Sequence, residues 1–144
     1  MAINPKKHYV TAILDAGTSD DASTNLAAAQ HVLTGANIPN DAIITETVLY
    51  TYFDVAGSSS TLQFQVGESG NTTNDKNITG VIAEAAFTDE SVQCINDKGV
   101  KTAASVTNGD QAALVVKCTV GTGALTTGKV LVTIGYFLNS AIEA

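Results

Sequence analysis

Leu114–Leu138 reads LVVKCTVGTGALTTGKVLVTIGYFL. Two runs rich in Val, Ile, Leu and Thr flank a short connection of Gly, Thr and Ala, which is the pattern of two β-strands joined by a turn. The stretch predicts a closing β-hairpin, Leu114–Val120 with Lys129–Leu138, in an all-β chain. It also contains Gly123–Val130 (GALTTGKV), a near-match to the GxxxxGK[ST] phosphate-binding loop. That loop needs a Ser or Thr after the Lys to hold Mg²⁺, and a following helix whose amides face the phosphates. Here Val130 follows, and then a strand. The glycines are therefore read as turn residues that supply positive φ.

Strand-like runs separated by turns recur upstream. His8–Leu14 (HYVTAIL) reads as a first strand and Asp15–Asn25 as a small-polar connection. Leu26–Leu33 (LAAAQHVL) fits a helix through its alanines and a buried strand equally well. Gly35–Asp41 carries turn chemistry around Pro39. Ala42–Asp54 (AIITETVLYTYFD) is a long strand, with Ile44, Val48, Tyr50 and Tyr52 to one side and Ile43, Thr45, Thr47, Leu49, Thr51 and Phe53 to the other. Apolar residues on both faces mark it as central or as part of an interface. Thr61–Val66 alternates strictly, with Leu62, Phe64 and Val66 inward. After a polar loop, Gly67–Asn77, the period changes. Ile78, Val81, Ile82, Ala85 and Ala86 follow a helical stripe, with Asn77 as its N-cap. Ser91–Ile95 and Val100–Val106 read as short strands joined by a turn at Asn96–Gly99. About eight strands, one or two short helices and no internal repeat predict a jelly roll or β-sandwich. Repeated helical crossovers, which a βαβ fold requires, are missing from the pattern.

Composition narrows the function classes. The chain has 144 residues, enough for one domain with its own core. Charged residues make up only 15%, so polarity rests on Thr, Ser, Asn and Gln, suited to neutral faces that pack against copies or a partner. Acidic residues outnumber basic ones 14 to 7, for a net charge of −7, and every basic residue is Lys. A nucleic-acid binder would show a basic patch, usually with Arg. Only Lys6 and Lys7 are adjacent. No apolar run is long enough for a signal peptide or a membrane-spanning helix, so the chain is expected to be made and used without export, and the glycosylation-like Asn71–Thr73 and Asn77–Thr79 are read as chance.

Candidate chemistry is sparse. Cys94 and Cys118 show no CxxC pairing and are expected to be buried free thiols, although spacing does not exclude a disulfide. His8 and His31 sit among apolar or small residues and read as structural. Ser69 misses the GxSxG nucleophile pattern. Asp20–Asp21 and Asp89–Glu90 lie in loops, and Glu46 is a single carboxylate, not a pair. Asn74–Asn77 gathers oxygen ligands but lacks calcium-loop spacing. The expectation is no enzyme, no cofactor and no metal. Tyr50, Tyr52 and Phe53 cluster, with Tyr50 and Tyr52 on one face.

Three stretches carry a resemblance. Val32–Ile44 (VLTGANIPNDAII) is similar to the "strand, Gly, hydrophobic-Pro-x-x-Ala-hydrophobic" entry of small virion proteins of tailed bacteriophages. Thr61–Gly67 (TLQFQVG) resembles the strand that follows in them, and Leu125–Tyr136 (LTTGKVLVTIGY) resembles their closing "Leu-Thr-x-Gly-Lys-hydrophobic" segment. The similarity runs from Val32 to Leu138. It implies a jelly-roll or sandwich domain assembled on the virion, with no catalytic residues to carry over. The expectation is a capsid decoration (cement) protein, made in the host cytoplasm and bound to the outer surface of the head. Its partners would be the major capsid protein and its own copies, as a homotrimer, with neither nucleic acid nor membrane. A flexible arm, Met1–Lys7, would precede a single domain of residues 8–144. Lys6, Lys7, Tyr9, Tyr50 and Tyr52 are the candidate capsid or subunit contacts. The alternative is a head-fibre, tail or host-adhesion component that binds carbohydrate on Tyr50 and Tyr52.

Overall fold

The structure, a computed structural model, describes residues 6–18, 25–95, 100–101 and 113–138. In chain order its strands are β1 (His8–Gly17), β2 (Gln30–Val32), β3 (Thr34–Gly35), β4 (Ile38–Pro39), β5 (Ala42–Gly57), β6 (Thr61–Gly67), β7 (Lys76–Asn77), β8 (Ile82–Ala83), β9 (Val92–Ile95), β10 (Val100–Lys101), β11 (Ala113–Gly121) and β12 (Leu125–Leu138). One three-residue 3₁₀ turn, Glu84–Ala86, lies between β8 and β9. The strands form two antiparallel sheets. The first runs β3-β1-β12-β5, with β9 and β10 both on the far side of β5. The second runs β2-β11-β6-β7, with β4 also on β11 and β8 on β6.

The core is the layer between the sheets. Leu14, Leu49, Val132 and Ile134 of the first sheet face Leu62, Phe64, Val116 and Val120 of the second, all buried. Each strand delivers them at period two, so every second side chain leaves water together. Thr61–Gly67 follows its expected alternation for Leu62, Phe64 and Val66.

The hairpin expected at the C-terminal end does not form. β11 pairs with β6, β2 and β4, while β12 pairs with β5 and β1. The connection between them is a corner from one sheet to the other. A second corner, Ser58–Ser60 between β5 and β6, packs directly against it. Ser60 Oγ donates to Gly123 O at 2.8 Å and Ser58 N–H to Ala124 O at 3.2 Å. The glycines serve this close approach. A Cβ on Gly123 would meet Ser58 O at 2.7 Å, and one on Gly57 would collide with Ala124 O. Positive φ falls to Thr122 (70°) and Gly128 (138°), the latter buried in β12.

Of the two alternatives open for Leu26–Leu33, the strand is the one formed: Leu26 bridges Leu125, and after a bend at residues 28–29 β2 pairs with β11. Other expectations are corrected. The Ile78–Phe87 stripe is not a helix. Ile78 N–H donates to Phe64 O, Glu84 N–H to Ser60 O, and Phe64 N–H to Thr79 Oγ1, so the backbone groups a helix would use are spent on β6 and the corner. Asn77 pairs with Gln65 instead of capping. β9 and β10 run in the same direction along β5. They therefore continue one edge and do not fold back on each other, although Asn96–Gly99 itself lies outside the described residues. In β5, Thr45 is an extra residue opposite the Gly135–Tyr136 step of β12. This bulge shifts the parity, and Ile44 joins Leu49 in the core instead of Tyr50 outside.

Candidate functional site

The register of the first sheet sets its outward residues side by side. Ile13 of β1 is opposite Leu131 of β12, Leu131 is opposite Tyr50 of β5, and Tyr50 is opposite Val92 of β9. The next rank is Thr11, Thr133, Val48 and Cys94, and beyond it lie Tyr9, Gly135 and Glu46. Tyr52 turns its ring against Tyr50, centroids 4.7 Å apart and planes at 74°. Tyr9, Ile13, Tyr52 and Val92 are 59%, 44%, 55% and 57% exposed. Single exposed apolar residues are ordinary, whereas a contiguous set on one sheet face marks an interaction surface.

The charges on this face cancel within it. Lys7 Nζ lies 2.5 Å from Glu46 Oε1 and over the rings of Tyr9 (5.7 Å) and Phe137 (6.0 Å). Gly135, which has no side chain, leaves the room the pair occupies. The Lys7 hydrogen bond holds the Glu46 carboxyl below its ordinary range, and the Glu46 hydrogen bond holds the Lys7 ammonium above its own. At the other end Lys129 Nζ stands 3.9 Å from Asp15 Oδ2. The centre that remains is neutral and aromatic.

Lys7, Tyr9, Tyr50 and Tyr52 are thus brought onto one surface, while Lys6 is exposed just before β1. Lys7 is docked on β5 through Glu46 and so is tied to the domain, unlike a free arm residue. Sequence reasoning missed Ile13, Leu131 and Val92. Their signal was apolar residues on both faces of β1 and β12.

The motifs set aside as chemistry are engaged elsewhere. Asp75, in the loop weighed for calcium, accepts hydrogen bonds from Lys117 Nζ at 2.7 Å and Gln30 Nε2 at 2.8 Å. His8 stacks on Tyr136 at 5.3 Å, and His31 Nε2 lies 2.7 Å from Ala27 O. The two thiols are both free and lie in different sheets. Cys118 is buried, but Cys94 is exposed, contrary to expectation, because β9 is an edge strand whose outward side no other layer covers among the described residues. Among the described residues no three His, Cys, Asp or Glu side chains gather as a metal site.

No family model matches the sequence, and no curated protein matches it. Solved structures do match. A chain in the acidic stable capsid structure of Helicobacter pylori bacteriophage KHP30 superposes with a TM-score of 0.52 at 17% identity, over 92% of this chain and 88% of that one. A chain in the capsid of Ralstonia phage GP4 gives 0.51 at 16% identity, over 96% and 86%. The xylan-binding module CBM15 reaches only 0.40 at 13% identity, too low to carry weight. The likeness to the two phage chains establishes a shared fold, a two-sheet antiparallel architecture found in phage capsids.

Proposed function

We propose that this chain is a capsid decoration protein that binds the outer surface of a tailed-phage head and stabilises the shell. The observation that carries this reading is the whole-length likeness to small chains of two phage capsids. The match spans 88% and 86% of those chains, so they are close to this chain in length. The outward face of the first sheet supplies the contact. Tyr9, Tyr50 and Tyr52 are large, semi-rigid side chains that bury much area at small entropic cost, and such residues dominate interface energetics. Lys7 and Glu46 neutralise each other beside them, so docking does not strand an unpaired charge. The acidic, Arg-free composition suits the outer side of the shell better than the side that faces DNA.

The mechanism is clamping. A homotrimer would span junctions between major capsid subunits, and each copy would add buried area that must be given up before the shell opens. An arm of residues 1–7 would add to this contact. The test is the copy number in purified particles relative to the major capsid protein, by quantitative mass spectrometry. Near one copy per capsid subunit supports decoration. A few copies would move the protein to a tail, vertex or fibre, and absence would overturn the reading.

The Tyr50–Tyr52 pair favours a second reading, a host-adhesion module that stacks sugars on exposed tyrosines. Saccharide-dependent quenching of tyrosine fluorescence would support it, and a decoration protein should show none.

A further inference from the structure

We propose that Lys117 and Asp75 condense into an intramolecular isopeptide bond that ties the loop over residues 68–75 covalently to β11. Lys117 is a buried ammonium, 1% exposed, on the side of β11 that faces away from the core. It lies between Gln65 of β6 and Val32 of β2 in register, roofed by that loop. Its Nζ donates to Asp75 Oδ1 and to Asn71 O, both at 2.7 Å. Gln30 Nε2 donates to Asp75 Oδ2 at 2.8 Å. The carboxyl rests on Gly67, where any Cβ would collide with Oδ1. Nucleophile, electrophile and a donor to the second carboxyl oxygen are therefore held together by three separate segments.

The chemistry balances without a co-reactant. The attack uses a free amine and a carboxylic acid, which passing one proton along the Nζ–H···Oδ1 bond provides. The Nζ lone pair attacks Cγ, and negative charge builds on Oδ2, where the Gln30 N–H stabilises it. The Cγ–Oδ1 bond then breaks. Oδ1 leaves as water, carrying its own proton and one from Nζ. The remaining N–H of the amide stays on Asn71 O. Fixed approach of this kind is equivalent to an effective concentration of about 10⁵–10⁸ M, which is what drives a condensation that free amine and acid do not undergo in water.

The test is the intact mass of the purified full chain, with Lys117→Arg and Asp75→Ala as references. The wild type should be lighter than its sequence by one water, and both variants should carry their full sequence mass. Trypsin should fail to cleave after Lys117, and a peptide containing Asp75 should stay joined to one containing Lys117. A wild-type chain of full mass would overturn the proposal, as would a water lost at any other position. Neither outcome depends on how the variants fold.

Discussion

Thr47 and Thr51 are two threonines on the inward face of one strand, buried to 1% and 0%, and the same substitution should act on them in opposite directions. Thr51 Oγ1 accepts from Ser91 Oγ at 3.0 Å. Thr47 Oγ1 is buried with no hydrogen-bond partner among the described residues, set between Ile134 and Ile95 in register. A buried hydroxyl without a partner costs about 1–3 kcal/mol. Thr47→Val removes that cost and adds one buried methyl, worth about 0.8 kcal/mol before any crowding. A net stabilisation of about 1–2 kcal/mol is expected. Thr51→Val instead removes the shorter of the two Ser91 Oγ contacts, leaving only Ala86 O at 3.5 Å, and should cost about 0.5–1.5 kcal/mol. Urea denaturation at unchanged m reads both. With m of about 2 kcal/mol/M, Thr47→Val raises the midpoint by about 0.5–1 M and Thr51→Val lowers it. If both variants fall below the wild type by similar amounts, the hydroxyl of Thr47 has a partner and the reasoning fails.

Burial pushes the Cys118 thiol up to about 12 from its ordinary value of 9.0. The unfolded chain therefore releases that proton first, so stability should decline as pH rises from 9 towards 12, with a slope that Cys118→Ala reduces. In the native protein a maleimide should label Cys94 alone, and both thiols after unfolding. Gly123→Ala should cost about 1–3 kcal/mol in thermal or urea unfolding, because it meets Ser58 Cβ and O at the facing corner, atoms that no side-chain rotation can move away. Glu46 is held low by Lys7, so Lys7→Met should raise the pH at which Glu46 titrates by NMR. The stabilisation from that carboxylate is present above the ordinary 4.5 and is lost as pH falls through the lowered native value. Tyr52→Asp should leave the melting temperature nearly unchanged yet reduce occupancy on particles. Full occupancy would remove the outward face from the contact.

Much of the fold was legible locally. The period-two alternation of Thr61–Val66 reports a sheet with one face in the core, because successive side chains point to opposite sides whatever the strand pairs with. The clustering of Tyr50 and Tyr52 was legible for the same reason. The Ile78–Phe87 stripe misled because a helical period says only which residues seek the core. The backbone there found better partners on β6 than in itself. Lys117 gave no signal at all. Lysine usually lies in water, and only the roof formed by the loop over residues 68–75, from a segment some 45 residues away, buries it and supplies Asp75.

The sequence alone determined that the chain is all-β, where its longer strands run, and that its composition is acidic, low in charged residues and without Arg. Those properties are written residue by residue, in alternation, turn chemistry and charge. Only the tertiary structure decided that β11 and β12 part at a corner instead of pairing, that a bulge at Thr45 sends Ile44 inward, and that Tyr9, Ile13, Tyr50, Tyr52 and Val92 share one face. Hydrogen-bonding partners and strand register are properties of pairs of segments far apart in sequence. They are fixed when the two sheets close over a common core, and no single segment carries the information that chooses among them.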